Sequence, residues 1–153
     1  MHILFLIGRI AFVLIFLASG IFKLMDIAGT ARVIEQKFTI PSVIEPFAAN
    51  LSSMTGLTTF QMLAIILALI EVVFSLFIIF NVATRFSAFV LAIVMAVGTY
   101  YVHDFWNMTG DERIANIEML IRNISIIGGL LMLMVIGPWR PTLDEDEQGV
   151  YAR

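Results

Sequence analysis

The run at residues 58–80 constrains the fold of this chain more than any other stretch of its sequence. A helix rises about 1.5 Å per residue, so about 20 apolar residues match the hydrocarbon core of a bilayer, which is about 30 Å thick. The run is long enough to cross a membrane as one helix, and Glu71 is the ionisable residue inside it. Because a carboxyl group is costly at that depth, Glu71 is expected to face a bundle interior, to have a partner and to mark a functional position.

The whole chain resembles this run, because its apolar residues fall into four long blocks rather than amphipathic stripes. Hydrophobic residues make up 60% of it and charged residues 14%, against about 45–50% and about 25% in soluble domains. The sequence therefore predicts an all-α polytopic membrane protein, a bundle of four transmembrane helices in contact with the lipid bilayer. The predicted spans are residues 3–24, 58–80, 86–102 and 116–136, in a single domain over residues 1–143 that an acidic flexible tail at 144–153 follows.

Several function classes are excluded by what the sequence lacks. It has no cysteine, which excludes disulfides, thiol exchange and iron–sulfur ligation by this chain. It has no basic patch that would bind nucleic acid, and no spacing of His, Asp and Glu that resembles a zinc or di-iron site. His2 and His103 are predicted at opposite membrane faces, so one subunit cannot hold a haem between two histidines. No metal site is expected.

Residues 3–24 are predicted to be a retained span. Arg9 interrupts the apolar run and hydrophobicity continues well beyond it, whereas a signal peptide opens with charge and has an apolar core of only about 7–15 residues. Four spans place both termini on one side of the membrane. Lys and Arg are shared between the terminal face, which carries both chain ends and the tight turn at 81–85, and the loop face, which carries the connections at 25–57 and 107–115. The termini are predicted to be cytoplasmic, because the longer connections then lie outside.

The connection at residues 25–57 is too long for a simple hairpin and is predicted to have structure of its own. Asp26 can cap a short helix at 28–37, which would lie at the membrane surface. Pro41 ends this segment and opens another at 42–51, which is too short to span the bilayer. The connection is either a lid over the loop face or a plain linker, and the sequence leaves both readings open.

Three polar residues, Arg9, Glu71 and Asn123, are predicted to form a polar core inside the membrane. Counted from the terminal face, Arg9 lies about six residues into its span and Glu71 about nine, a difference of roughly 5 Å along the bundle. The two side chains are therefore predicted to be within hydrogen-bond reach, which would satisfy both charges away from water. Asn123 lies about one helical turn deeper and would complete the core. The alternative is a purely structural clamp that holds the bundle together.

A second polar group is predicted near the loop face and consists of Lys23, His103 and Asp104. On the first span Arg9, Phe16 and Lys23 lie seven residues apart, with Ser19 and Gly20 alongside, so one side of this helix is polar along its length. On the third span Thr99 and His103 are four residues apart and share a side. We predict that the group lines one ligand-binding cavity with the long connection folded over it. Taken singly, Lys23 has a plainer explanation, which is that its ammonium group extends to lipid head groups.

Nine short motifs follow one another in a characteristic order from Gly8 to Asp144. They are Gly8-Arg9, Ser19-Gly20, Lys23-Leu24, Glu71, Thr84-Arg85, His103-Asp104-Phe105-Trp106, Arg122-Asn123, Gly137-Pro138 and Leu143-Asp144. Together they resemble the DoxX family. The resemblance implies a four-span protein of the bacterial inner membrane, related to a subunit of a thiosulfate:quinone oxidoreductase and associated with redox complexes. The residues that match the family by position are Arg9, Lys23, Glu71, Arg85, His103, Asp104 and Asn123. The chain departs from the family at Arg140, where Trp139 and Pro141 replace a smaller and more polar stretch.

One hypothesis for the function is a redox-associated subunit that binds a quinone, or a similar lipophilic small molecule, with no covalent cofactor. Lys23, His103 and Asp104 would meet one end of the head group, and Arg9 and Glu71 would relay protons deeper. The chain has no electron carrier of its own, so the electrons would come from a redox partner protein or from a lost cofactor. The sequence leaves open whether the chain is an enzyme, as a quinone-linked oxidoreductase component would be, and whether it forms a homo-oligomer.

The alternative hypothesis is a non-enzymatic membrane scaffold or assembly factor, in which the polar core only fixes the packing of the helices. Transport of a lipid or small molecule is a weaker third reading, because the sequence has no visible inverted repeat. Quinone in a solvent extract of the purified protein would separate the first hypothesis from the second.

Overall fold

A computed structural model describes residues 2–40, 45–102 and 109–138, and these ranges are helical with short connections. In chain order the helices are α1 (His2–Met25), α2 (Ile27–Lys37), α3 (Glu45–Thr55), α4 (Thr59–Ile79), α5 (Thr84–Val102) and α6 (Asp111–Ile136). Four of them, α1, α4, α5 and α6, are long and apolar enough to cross a membrane. The predicted all-α, four-span architecture is therefore confirmed. The tail at 144–153 lies outside the described residues.

The four long helices pack as antiparallel neighbours, with α1 against α4, α4 against α5 and α5 against α6. The apolar core draws on all four of them and consists of Val13, Phe16, Ile78, Ala88, Leu91, Ala92, Leu130 and Leu133. These residues come from the later part of α4 and α6, the earlier part of α5 and the middle of α1. The described core therefore lies towards the terminal face of the bundle.

The contact between α1 and α4 is close because small residues line it. A Cβ atom added at Gly20 would lie 2.8 Å from the carbonyl oxygen of Ala68 and 2.8 Å from Cγ2 of Val72. The buried side of α4 begins with Ala64 and Ala68, which lets the two backbones approach. This contact fixes the register of the pair, since Gly20 must lie beside the turn that carries Glu71.

The long connection has structure of its own, as predicted. Asp26 caps α2, with its Oδ1 accepting a hydrogen bond from the backbone N–H of Gly29 at 2.8 Å. The helix α2 then packs along α4, and at its end Phe38 meets Tyr101 edge to face, with ring centroids 5.2 Å apart. The second predicted segment is also helical, but α3 covers Glu45–Thr55 instead of 42–51. Pro41 lies outside the described residues.

The turn between α4 and α5 is as tight as predicted, although its backbone is unusual. Asn81 and Ala83 both have positive φ, at 63° and 44°. Asparagine tolerates this left-handed region better than most side chains, whereas alanine is strained there. At the same face Gly137 ends α6 with φ of 76°, and a Cβ added to it would lie 2.5 Å from Nε of Arg85. The packing at the terminal face therefore depends on a glycine at that position.

Candidate functional site

An ion pair inside the bundle links α1 to α4. The Nζ of Lys23 donates to both carboxylate oxygens of Glu71, at 2.7 and 2.6 Å, and to Oγ of Ser19 at 2.5 Å. The Glu71 side chain is 9% exposed and that of Lys23 is 27% exposed. This is the one ion pair among the residues that the structure describes. Glu71 thus has the partner that its depth requires, and Lys23 stays in the bundle instead of extending to head groups.

The directions of the two helices explain why Lys23 reaches Glu71. The Cα–Cβ bonds of a helix tilt towards its N-terminus. Because α1 begins at the terminal face and α4 begins at the loop face, the Lys23 side chain points into the membrane and Glu71 points up towards it. The close contact at Gly20 holds the two backbones near enough for the ammonium and carboxylate groups to meet.

The predicted hydrogen bond between Arg9 and Glu71 is wrong. Arg9 instead donates from Nη1 to Oδ1 of Asn81 at 2.6 Å and from Nη2 to Oγ1 of Thr84 at 2.7 Å. The prediction assumed that α1 and α4 end at the same level at the terminal face, whereas the two helices are staggered. With Gly20 beside Ala68, residue 9 of the antiparallel partner comes level with the turn that follows α4. The tilt of the side chains then carries Arg9 and Glu71 further apart.

Asn123 does not complete a common polar core with Arg9 and Glu71. Its Nδ2 donates to Oγ1 of Thr99 at 3.0 Å, and the Thr99 hydroxyl donates to the carbonyl oxygen of Met95 at 2.7 Å. The predicted core is therefore three separate polar contacts. One joins α1 to α4, another joins α1 to the turn and to the first residue of α5, and the third joins α5 to α6.

Three of the polar partners, Ser19, Asn81 and Thr84, are not among the predicted site residues, although Ser19 is predicted beside Lys23 on the polar side of the first span. Ser19 carried a usable signal, because it lies four residues before Lys23 and so shares its side of α1. Asn81 was recognised only as a turn residue. Its role as an acceptor for Arg9 depends on the stagger of the helices, which neither helix reveals alone.

An open groove runs beside Lys23 on the outer surface of α1 and the start of α2. Its volume is about 790 Å³, within the range of about 300–1,000 Å³ that is usual for small-molecule sites. The residues that line it are Ile15, Ala18, Ser19, Phe22, Lys23, Met25, Asp26 and Thr30. Apolar side chains form most of the wall, and the polar ones gather where α1 turns into α2. Such a groove suits a molecule with an apolar body and a polar head.

Of the predicted ligand-binding residues, Lys23 lines this groove, while His103 and Asp104 lie outside the described residues. Their convergence with Lys23 stays a prediction. The start of the long connection contributes Met25, Asp26 and Thr30 to the wall.

Comparison with known proteins identifies the kind of protein to which this bundle corresponds. The sequence model of the DoxX family matches residues 4–104. Over 143 residues the chain is 34% identical to inner membrane protein YphA of Escherichia coli (strain K12), an alignment that covers 93% of this chain and 89% of that protein. No solved structure matches it significantly. The inner-membrane relative and the four apolar helices together place this chain in the inner membrane as a multi-pass protein.

Proposed function

This chain belongs to the DoxX family of integral inner-membrane proteins, and we propose that it binds a quinone, or a lipophilic molecule with a similar head group, in the groove beside Lys23. The observation that carries this proposal is the position of Lys23. Its ammonium group is held within the bundle by a buried carboxylate, yet the side chain is partly exposed along an apolar groove. A cation in this position can donate hydrogen bonds to the polar head group of a molecule that enters the groove from the lipid.

The contacts around Lys23 suit a ligand that accepts hydrogen bonds. The ammonium group has three N–H donors, and at present they are directed to Glu71 and Ser19. A ligand carbonyl at the groove would replace Ser19 as an acceptor while Glu71 keeps its pairing. The Ser19 hydroxyl accepts from Lys23 through a lone pair, so its own O–H could also donate to the head group. The apolar body of the ligand would lie along Ile15 and Phe22, which line the same groove.

We assign the redox role to a complex instead of to this chain alone. The sequence indicates no electron carrier within this chain, so electrons for a bound quinone would come from a redox partner protein or from a cofactor that has been lost. Lys23 would meet the ligand directly, and Glu71, which is hydrogen-bonded to Lys23, would relay protons between this ammonium group and the interior of the bundle. His103 and Asp104 would contact the same head group from the end of α5.

The test compares binding to the intact protein and to a protein without the ion pair. The protein is purified in detergent, its solvent extract is analysed for quinone, and its melting temperature is measured with and without decylubiquinone. We expect quinone in the extract and a rise in melting temperature on adding the probe. The rise should be absent in the double variant Lys23→Met/Glu71→Leu, which removes both charges and so leaves neither unpaired.

Lys37→Met is the matched control, because Lys37 is exposed at the end of α2 and does not line the groove. It should keep the full rise in melting temperature. Equal rises in the control and in the double variant would overturn the proposed site.

The second candidate function is a non-enzymatic scaffold, and a specific observation favours it. Arg9, Lys23 and Asn123 each have a hydrogen-bond partner within the chain, which is what packing alone would require. An extract free of quinone, together with a melting temperature that the probe does not change, would favour the scaffold over quinone binding.

A further inference from the structure

The polar side chains of the groove follow one line along the chain. Ser19, Lys23, Asp26 and Thr30 are spaced by four, three and four residues, and all of them line the groove. The backbone N–H of Asp26 donates to the carbonyl oxygen of Phe22 at 3.1 Å, so the helical turn continues beyond Lys23. Residues three or four apart on a helix are neighbours. Asp26 therefore lies next to Lys23 at the loop-face end of the groove.

The carboxylate of Asp26 is held in place by the start of α2. Its Oδ1 accepts a hydrogen bond from the backbone N–H of Gly29 at 2.8 Å. A Cβ atom added at Gly29 would overlap this carboxylate, so the close approach of the two residues requires a glycine. Asp26 is exposed, and an ionised carboxylate has about four lone-pair sites. One backbone N–H therefore fixes the group and leaves its negative charge at the surface of the groove.

The groove carries a net negative charge. Lys23 and Asp26 are the charged residues that line it, and Lys23 is already neutralised by its ion pair with Glu71. Within the part of the chain that the structure describes, no cation pairs with Asp26. Two cations of α2, Arg32 and Lys37, do not line the groove. The charge that an approaching head group meets is therefore that of Asp26.

Phospholipids of the surrounding bilayer are the most abundant competitors for this groove. Phe22 and Met25 line it and are 68% and 77% exposed, so in the membrane this surface faces lipid. Each phospholipid carries a negatively charged phosphate, and a lysine near a helix end attracts such head groups. Lys23 lies in the last turn of α1. Phosphate head groups would therefore occupy the groove unless a nearby charge repelled them.

We propose that Asp26 is a specificity-determining residue, which keeps phosphate head groups out of the groove and leaves it open to an uncharged head group. Binding sites commonly gain specificity by repelling the wrong ligand as well as by attracting the right one. A fixed carboxylate repels a phosphate through their like charges, whereas a neutral carbonyl compound has no net charge to repel. This role rests on the proposed function, in which the groove is the ligand site, and it narrows the ligand to uncharged lipophilic molecules.

The test compares two variants that each lose one negative charge. Asp26→Asn keeps the cap of α2, because asparagine caps helices as well as aspartate does. Glu35→Gln is the matched control, since Glu35 is exposed on α2 and does not line the groove. Titration of phosphatidylglycerol into each purified protein in detergent, followed by melting temperature, gives an apparent Kd. We expect Asp26→Asn to bind this lipid about tenfold more tightly than Glu35→Gln does. Equal Kd values would overturn the proposal.

The position of the bound lipid is tested by adding Lys23→Met and Glu71→Leu to Asp26→Asn. The phosphate then has no ammonium group to meet in the groove, so the gain in affinity for phosphatidylglycerol should disappear. A gain that survives these substitutions would place the lipid elsewhere and would also overturn the proposal.

A separate titration with decylubiquinone distinguishes the role of Asp26 from quinone binding itself. If the natural protein does not respond to decylubiquinone, while Asp26→Asn gains affinity for phosphatidylglycerol, quinone binding is overturned and the role of Asp26 stands. If the natural protein responds to decylubiquinone, while Asp26→Asn and Glu35→Gln bind phosphatidylglycerol equally, quinone binding stands and the role of Asp26 is overturned.

Discussion

At the scale of single residues, the ion pair between Lys23 and Glu71 determines what can be substituted inside the bundle. A buried charge that loses its partner is far less stable than a buried pair, whereas an apolar pair in its place is often tolerated. Loss of one partner is therefore expected to lower the stability of the bundle by different amounts in the three polar contacts. The contacts of Arg9 and Asn123 are made to neutral oxygens of Asn81, Thr84 and Thr99, and that of Lys23 is made to a carboxylate.

Glu71→Gln should lower the free energy of unfolding by about 3 kcal/mol, because it leaves the Lys23 ammonium with only neutral acceptors. Unfolding of the purified variant in detergent, followed by circular dichroism, measures the change. Glu35→Gln is the control, since Glu35 is exposed on α2, and it should have nearly the stability of the natural protein. If Glu71→Gln were as stable as the control, the ion pair between Lys23 and Glu71 would contribute little to the free energy of unfolding.

At the scale of helices, the four spans could be predicted because the thickness of the bilayer sets their length. The fourth differs at its start, since α6 begins at Asp111 instead of residue 116. The cap of α2 could also be predicted, since Asp26 precedes the helix that it caps through its own side chain. The partner of Glu71 could not be predicted in the same way. It depends on the stagger of α1 against α4, which the contact of Gly20 with Ala68 fixes between the two helices.

Gly20→Ala tests this register. The added Cβ would lie 2.8 Å from the backbone oxygen of Ala68, so the helices must separate, and we expect a loss of about 1–3 kcal/mol in the free energy of unfolding. Gly8→Ala is the same substitution in the same helix with nothing within 4 Å. It should be neutral or slightly stabilising, because alanine favours helix over glycine. Equal stability of the two variants would show that the contact at Gly20 does not limit packing.

At the scale of the whole molecule, four spans require both termini to lie on one side of the membrane, and we predict the cytoplasmic side. Fusions of a periplasmic reporter enzyme and of a fluorescent protein to each terminus provide the measurement. Fluorescence from both fusions, without periplasmic activity, is the expected result. Termini on opposite sides would contradict the four-span fold, whereas both termini in the periplasm would reverse only its orientation.

The partners of α1 also have an implication for how the chain enters the membrane. Glu71 follows Lys23 by 48 residues, and Asn81 follows Arg9 by 72. When α1 leaves the ribosome, neither of its cations has a partner in the chain. Lys23, in the last turn of α1, can extend to head groups, whereas Arg9 lies within the helix, where an unpaired arginine costs up to about 2.5–3.5 kcal/mol. An isolated α1 in lipid is therefore less stable than α1 beside α4 and the turn that follows it. If the first helix stays beside the translocon during synthesis of the 72 residues that separate Arg9 from Asn81, α1 and α4 can enter the bilayer as a pair.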